Sequence, residues 1–173
     1  MQRITEAAEQ AKKELSSTEL TTINLPANVN QFDGSVFAGC ETLSEIVVDP
    51  ANTNFVPHDG ALYSANYEEL LFYPRALDGD LGKLHPDLRK IGKNVFQGNP
   101  AITNVTISKK VVSIDAYAFE NCYNLRSVTF AEGGTAMTIG VSAFAKCSKL
   151  AAIELPAYTS AIGASAFESV PLT

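Results

Sequence analysis

Hydrophobic positions recur along the chain in a fixed pattern centred on phenylalanine. In each copy the phenylalanine follows a valine or an alanine, and a large apolar residue stands five positions before it. The phenylalanines of this pattern are Phe37, Phe96, Phe119, Phe144 and Phe167. The last four are separated by 23, 25 and 23 residues, and such a period is typical of a solenoid in which each repeat forms one turn of the chain.

Two hydrophobic periods follow each phenylalanine. In the copy that contains Phe119, Cys122 and Leu125 come at steps of three, which predicts a helical or 3₁₀ turn. Val128 and Phe130 then alternate with polar residues, which predicts a short strand with one buried face. Because one turn alone leaves its apolar face uncovered, we expect stacked turns with parallel strands and a continuous column of phenylalanine rings.

The segments 91–107, 114–130 and 139–156 resemble the BspA-type, or Treponema-type, leucine-rich repeat. The resemblance covers residues 20–173, and residues 50–90 are similar to the modified repeat that these proteins often carry. It implies an α/β fold: a right-handed leucine-rich-repeat solenoid with a short-stranded parallel sheet on its concave side and turns or short helices on its convex side. It also implies a cell-surface or secreted protein, commonly one involved in adhesion or host interaction.

The N-terminal segment, residues 1–19, is predicted to form a helical cap over the first turn. Ala7, Ala8, Ala11 and Leu15 can share one apolar face of a helix. A helix of this length is marginal in water on its own, which favours docking on the solenoid. The segment lacks the apolar stretch of a secretion signal, so for a surface protein we expect the chain to be a fragment of a longer one.

The middle of the chain departs from the period, since 59 residues separate Phe37 from Phe96. Asp59 and Gly60 predict a tight turn after an extended segment. Short apolar runs, interrupted by proline and glycine, predict strands on either side of this turn and beyond it. The predicted strands are 62–63, 70–73 and 81–84.

Composition narrows the classes of function. The 173 residues carry a net charge of −6 with a pI near 4.9, which disfavours nucleic acid as a partner. No stretch approaches the roughly 18 consecutive apolar residues that a membrane-spanning helix needs. We expect no enzyme, no cofactor and no metal ion, because the sequence offers no nucleophile with a base and an orienting group, and no phosphate-binding or metalloprotease motif.

Three cysteines, Cys40, Cys122 and Cys147, occupy the same repeat position, three residues after the phenylalanine. A thiolate metal site is one interpretation, and a disulfide between Cys122 and Cys147 on neighbouring turns is another. The favoured interpretation is a buried column of free thiols that form weak hydrogen bonds to backbone carbonyls, because there is no C-x-x-C pair and the number is odd.

His58 and His85 are the histidines of the chain, and each stands beside a proline in a predicted turn or at a strand end. We therefore predict that both face solvent rather than act in catalysis. Tyr117 and Tyr123 flank Phe119 in the sequence. Surface contact is one possible use for these two rings, and partial packing between turns is the favoured one.

The candidate binding surface consists of the residues that alternate with the buried strand positions, because these project from the concave sheet face. They are mostly small hydroxyl, amide or aliphatic side chains: Glu45, Val47, Asn104, Thr106, Ser127, Thr129 and Glu154. The hypothesis is a non-enzymatic adhesion module that binds a host matrix protein, a cell-surface protein or a glycan through this face or through the insertion at residues 50–85. The alternative is a structural spacer that presents a neighbouring domain.

Overall fold

The computed structural model describes residues 21–37 and 39–172, in which short strands and turns dominate. The strands are β1 (Thr22–Leu25), β2 (Glu45–Val48), β3 (Phe55–His58), β4 (Ala61–Ser64), β5 (Glu69–Phe72), β6 (Lys90–Ile91), β7 (Asn104–Ile107), β8 (Ser113–Ile114), β9 (Ser127–Phe130), β10 (Met137–Ile139) and β11 (Thr159–Ile162). Two 3₁₀ helices span Gly34–Phe37 and Leu81–Lys83, and the described ranges contain no α-helix. The predicted cap at residues 1–19 lies outside the described residues.

The predicted parallel pairing of equivalent strands is confirmed for two pairs. Strands β1 and β2 pair in parallel with Ile23 opposite Ile46. Strands β7 and β9 do the same with Val105 opposite Val128. The buried residues of each pair are therefore the apolar positions of the repeat.

A second, larger sheet contains the isoleucines that stand five positions before the last four phenylalanines. Its strand order is β11-β10-β8-β6-β5-β4-β3, and it is parallel from β11 to β5. Ile91 pairs with Ile114, and Ile114 pairs with Ile139. Each regular turn thus contributes a short strand to this sheet, so that the chain is a β-solenoid rather than the α/β fold that the sequence suggested.

The segment around each phenylalanine forms a turn with 3₁₀-type hydrogen bonds, as from the Cys122 N–H to the Phe119 carbonyl at 3.1 Å, and among these segments Gly34–Phe37 is a 3₁₀ helix. The backbone N–H of Phe119 donates to Ala143 of the next turn, at 2.7 Å, and that of Phe144 donates to Ala166 at 2.8 Å. Left-handed residues two positions before and after Phe119, Tyr117 (φ 60°) and Asn121 (φ 58°), accompany this geometry. Alternate N–H groups thus bond along the stack, while those between them, such as Glu120 to the Tyr117 carbonyl at 3.1 Å, bond within the turn, and this satisfies the backbone without a continuous helix.

The predicted phenylalanine column is confirmed for four rings. The centroid distances are 4.8 Å for Phe96–Phe119, 5.1 Å for Phe119–Phe144 and 5.6 Å for Phe144–Phe167. Phe37 does not join this column. It packs in a separate cluster with Phe32, Phe55 and Phe72, and its ring lies 5.4 Å from that of Phe72.

Neighbouring turns approach closely where glycine follows the isoleucine of the larger sheet. A Cβ on Gly140 would lie 2.5 Å from the backbone nitrogen of Ala116, and one on Gly163 would lie 2.4 Å from that of Val141. These contacts are shorter than carbon and nitrogen atoms tolerate, and both partners are backbone. A side chain at either position would therefore push adjacent turns apart.

Two predicted strands are wrong. Residues 81–84 contain a 3₁₀ helix, because the Asp80 carboxylate accepts a hydrogen bond from the Gly82 N–H at 3.0 Å and so favours a turn. Residues 153–155 form no strand either, and Leu155 is 37% exposed. The segment that begins at Ala152 is poorer in β-branched residues than β7 or β9, which weakens its preference for a strand.

Candidate interaction surfaces

The residues predicted to form one concave face lie in two separate patches. Glu45 and Val47 are exposed on β2. The other patch, which we call the β7–β9 patch, consists of Asn104, Thr106, Ser127 and Thr129. The 3₁₀ helix Leu81–Lys83 contacts β7, so the modified repeat places a turn where the stack would otherwise continue the sheet. Glu154 is exposed but lies on no strand.

The β7–β9 patch is a regular two-row array of polar side chains. Asn104 lies opposite Ser127 and Thr106 lies opposite Thr129 in the register of the two strands. The Ser127 hydroxyl donates to the Asn104 side-chain oxygen at 2.7 Å. Both threonines are exposed. The patch therefore offers hydroxyl and amide groups at the spacing of paired strands, with no charged residue among its four members.

The β2 residues differ in character. The hydroxyl of Thr22 on β1 donates to the Glu45 carboxylate at 3.5 Å, and Val47 is 39% exposed. This part of the surface combines one carboxylate with an apolar side chain. It does not extend the neutral polar array of the β7–β9 patch.

The modified repeat brings together two histidines and two tyrosines that the sequence separates. The rings of Tyr67 and His85 stack at a centroid distance of 4.1 Å, and the His58 ring lies 5.0 Å from that of His85. The backbone N–H of His85 donates to the Tyr63 hydroxyl at 3.2 Å. Both histidines are half-buried, so the prediction that they face solvent is wrong.

The predicted turn at Asp59–Gly60 explains this assembly. Both residues have positive φ, 47° and 81°, and they join β3 to β4 as a two-residue hairpin loop. The hairpin pairs His58 with Ala61 and holds the imidazole beside Tyr63. The turn was therefore readable from the sequence, whereas the contacts that it creates with His85 depend on the fold.

A cavity of about 450 Å³ lies beside these rings, and we call it the acidic cavity. Its walls include His58, Asp59, Tyr63, Tyr73, Leu77 and Asp78. Burial, followed by the negative charge of Asp78, raises the pKa of Tyr73 to about 12. Burial also raises the pKa of Tyr63, and the charge of Asp59 adds to that increase. The two carboxylates therefore give the cavity a negative potential.

Charged side chains elsewhere join successive turns. The Lys90 ammonium lies 3.0 Å from Glu69 and 2.9 Å from Asp115, which belong to the turns on either side of it. Burial lowers the pKa of Lys90, but the hydrogen bonds and charges of these two carboxylates outweigh it and raise the pKa overall. The ammonium group and the two carboxylates bind one another, and they therefore stabilise the stacking of successive turns.

Glu120 is a second bridge between turns. Its carboxylate accepts hydrogen bonds from Gln97 at 2.6 Å and from Lys146 at 3.0 Å. Burial raises the pKa of Glu120, yet the two hydrogen bonds lower it by more, so the net pKa lies below its ordinary value. The carboxylate is thus held ionised between its two neighbouring turns.

The cysteine column has the structural role that the sequence predicted. The thiol of Cys122 donates to the carbonyl of Phe96 at 3.0 Å, and that of Cys147 donates to the carbonyl of Phe119 at 3.2 Å. Burial raises the pKa of both thiols, that of Cys147 to about 11. Both side chains are therefore neutral at physiological pH and poor nucleophiles. Cys40 is half-buried at the edge of the other cluster.

The two tyrosines that flank Phe119 have different environments. Tyr117 is half-buried between turns, as predicted. Tyr123 is 44% exposed, so the prediction that it packs between turns is wrong for this ring. It follows the left-handed Asn121 by two residues, and that turn directs the chain outward.

Within the part of the chain that the structure describes, no group of three histidine, cysteine, aspartate or glutamate side chains is arranged to hold a metal ion. Nor is any helix within residues 21–37 or 39–172 long and apolar enough to cross a bilayer.

Successive short parallel strands, turns bonded along the stack and a column of phenylalanine rings define a leucine-rich-repeat solenoid. The sequence matches the model of the BspA type leucine rich repeat region in six copies, over residues 6–70 and 83–173. The chain belongs to this family. No curated protein is significantly similar to it in sequence.

Solved structures with the same fold come from bacterial proteins. A leucine rich cell surface protein from Faecalibacterium prausnitzii has 29% sequence identity and a TM-score of 0.73, over 90% of this chain and 41% of that one. The pneumococcal vaccine antigen PcpA is 18% identical with a TM-score of 0.65, over 87% of this chain and 44% of that one. The chain thus spans about two fifths of the length of these two structures.

A leucine-rich repeat protein from Bacteroides capillosus is similar over 63% of this chain and 87% of its own, with 24% identity and a TM-score of 0.52. At this level of identity the likeness concerns the fold alone.

Proposed function

We propose that the chain is a non-enzymatic interaction module of a bacterial cell-surface or secreted protein. Its ligand is an extracellular protein or a glycan, such as a host matrix protein or a surface protein of another cell. The β7–β9 patch is the observation that carries this proposal, because it presents Thr106 and Thr129 side by side and exposed on paired strands.

The chemistry of the patch fits a ligand with regularly spaced hydrogen-bonding groups. Each hydrogen bond from a hydroxyl or an amide adds about 0.5–1.5 kcal/mol net. One or two such bonds do not produce specific binding, so the ligand must follow the array over several residues. An extended protein segment or a glycan chain has this property.

A binding screen against extracellular matrix proteins and a glycan array identifies the ligand, and paired substitutions then locate the site. Thr106→Lys together with Thr129→Lys introduces two long charged side chains on adjacent strands of the patch. We expect this variant to bind at least about tenfold more weakly, a loss of about 1.4 kcal/mol.

The matched control is Thr135→Lys together with Thr138→Lys. It makes the same chemical change at two other exposed threonines, Thr138 on β10 and Thr135 just before that strand. The control should bind as the parent does. Equal binding by the patch variant and the control would remove the β7–β9 patch from consideration.

A structural spacer is the second candidate function. The observation that favours it is the use of polar groups between turns, as in Lys90 with Glu69 and Asp115, and in Ser127 with Asn104. A spacer needs stable stacking and no ligand. Failure of every matrix protein and glycan to bind the chain would support the spacer over the interaction module.

A further inference from the structure

We infer that the acidic cavity of the modified repeat is a binding site for a lysine or arginine side chain of a protein partner. This inference rests on the proposed function in so far as the partner is a protein. It concerns a different surface from the β7–β9 patch, because its walls come from the β3–β4 hairpin and from residues 73–84.

The size of the cavity is suitable for a side chain with part of its backbone. Its volume of about 450 Å³ exceeds what one water molecule or one ion requires. It falls within the range of about 300–1,000 Å³ that is usual for ligand pockets. Several walls are apolar, including Ala61, Leu77 and Leu84, and these can contact the methylene groups of an amphipathic side chain.

The charge of the cavity selects a cation. Asp59 and Asp78 are both part of its lining, and no lysine or arginine is among the residues described there. Their negative charge acts on two buried phenols, since Asp59 contributes to the raised pKa of Tyr63 and Asp78 to that of Tyr73. The two carboxylates therefore produce a negative electrostatic potential inside the cavity as well as in the solvent outside it.

Aromatic rings close the inner side of the cavity. Tyr63 and Tyr73 are almost fully buried and belong to the walls, together with the half-buried His58. Apolar contacts, carboxylates and aromatic rings together match a long cationic side chain better than they match an anion or a purely apolar group.

The site is tested with Nα-acetyl-lysine-N-methylamide as the probe and with its Nε-acetylated form as the control. The two compounds have the same backbone and methylene chain, but the second lacks the positive charge. Binding is followed by the NMR signals of the methyl groups of Ala61, Leu77 and Leu84. We expect the charged probe to shift these signals, and the acetylated form to shift them much less at equal concentration.

Substitutions then separate charge from shape. Asp59→Asn together with Asp78→Asn removes both charges with little change in volume, and the new amide oxygen can still accept the hydrogen bond that the Asp80 N–H donates to Asp78. We expect the dissociation constant of the charged probe to rise about three- to tenfold, as for the loss of two partly exposed ionic contacts. Asp49→Asn is the control, because Asp49 is exposed, caps a similar turn at Ala51 and is not part of the cavity.

Equal shifts with the charged and the acetylated probe, or unchanged affinity in the Asp59→Asn, Asp78→Asn variant, would overturn the inference. Absence of any shift in the methyl signals of Ala61, Leu77 and Leu84 would also overturn it. The variant with Thr106→Lys and Thr129→Lys should bind the probe normally. The probe titration therefore does not depend on the β7–β9 patch, and its failure is distinguishable from the failure to find a macromolecular ligand.

Discussion

Residues 91–172, the regular region, and the described residues up to 90, the irregular region, pack their aromatic side chains in different ways. In the regular region the rings of Phe119, Phe144 and Phe167 are nearly parallel, with interplanar angles of 4° and 1°. In the irregular region Phe72 meets Phe32 and Phe37 edge-on, at 62° and 61°. Both arrangements are favourable for aromatic pairs.

The difference shows what repetition imposes. Equivalent residues of successive turns are related by nearly the same translation, so equal side chains stack with equal orientation. The β3–β4 hairpin interrupts this translation, and rings then come from elements that run in different directions. The interruption also opens the acidic cavity. The regular turns have no residues that correspond to Asp59 and Asp78 of this cavity.

The largest expected effect comes from removing one ring of the column. Phe119→Ala should lower the free energy of unfolding by about 3–5 kcal/mol, because the ring is fully buried between two others. Urea denaturation followed by circular dichroism measures the loss, and amide hydrogen exchange locates it in the regular region. A loss below about 1 kcal/mol would mean that the column contributes little to stability.

Phe37→Ala is the counterpart in the irregular region. Because a solenoid is stabilised mainly by contacts between neighbouring turns, hydrogen exchange should accelerate around the Phe32–Phe37–Phe72 cluster and remain slow in residues 91–172. Equal acceleration in both regions would show that the two clusters unfold as one unit.

A smaller effect is expected from separating two regular turns at their closest approach. Gly140→Ala places a methyl group against the backbone of Asp115 and Ala116, which should cost about 1–3 kcal/mol. Gly133→Ala is the control, since no atom lies within 4 Å of its added Cβ and the cost there is confined to its positive φ. Thermal melts compare each variant with the parent, and an unchanged melting temperature for Gly140→Ala would contradict the close approach of the turns.

The last effect is a dependence of stability on alkaline pH, and it belongs to the regular region. Burial raises the pKa of Cys122 and Cys147, whereas an unfolded thiol ionises near about pH 8.5. Above that pH the unfolded chain releases protons that the folded chain keeps, so the free energy of unfolding falls as pH rises. The slope is about 1.4 kcal/mol per pH unit for each thiol, and it should appear between about pH 8.5 and 10.

Urea midpoints measured across this range provide the test. The variant with Cys122→Ala and Cys147→Ala should lose the decline. Val128→Ala, which removes buried volume without changing a thiol, should keep the slope of the parent. If the slope survives in the double cysteine variant, other groups are responsible for it.

Several features of the fold were predictable because they depend on residues close together in the sequence or on the period itself. The phenylalanine column, the parallel pairs β1–β2 and β7–β9, the cysteine hydrogen bonds and the Asp59–Gly60 turn belong to this group. The spacing of three after each phenylalanine correctly indicated turns closed by hydrogen bonds between residues three apart. It gave no sign that left-handed residues such as Asn121 would let alternate N–H groups bond to the next turn.

The candidate sites were less predictable than the fold. The alternation of strand residues correctly identified Thr106 and Thr129 as neighbours on one face. It gave no sign that Glu45 and Val47 would lie in a separate patch, because that separation depends on how the modified repeat enters the stack. The proximity of His58 to His85 is of the same kind, since a hairpin and a following loop must fold back together to create it.

The sequence by itself determined the repeating unit, the buried positions and the family to which the chain belongs. It could do so because each turn needs its neighbour to bury the same apolar residues, and these residues therefore recur at a nearly constant spacing along the sequence. Only the tertiary structure decided what the break in the repetition encloses. The acidic cavity is formed by residues 58–84, whose contacts follow from the direction of the hairpin rather than from any period.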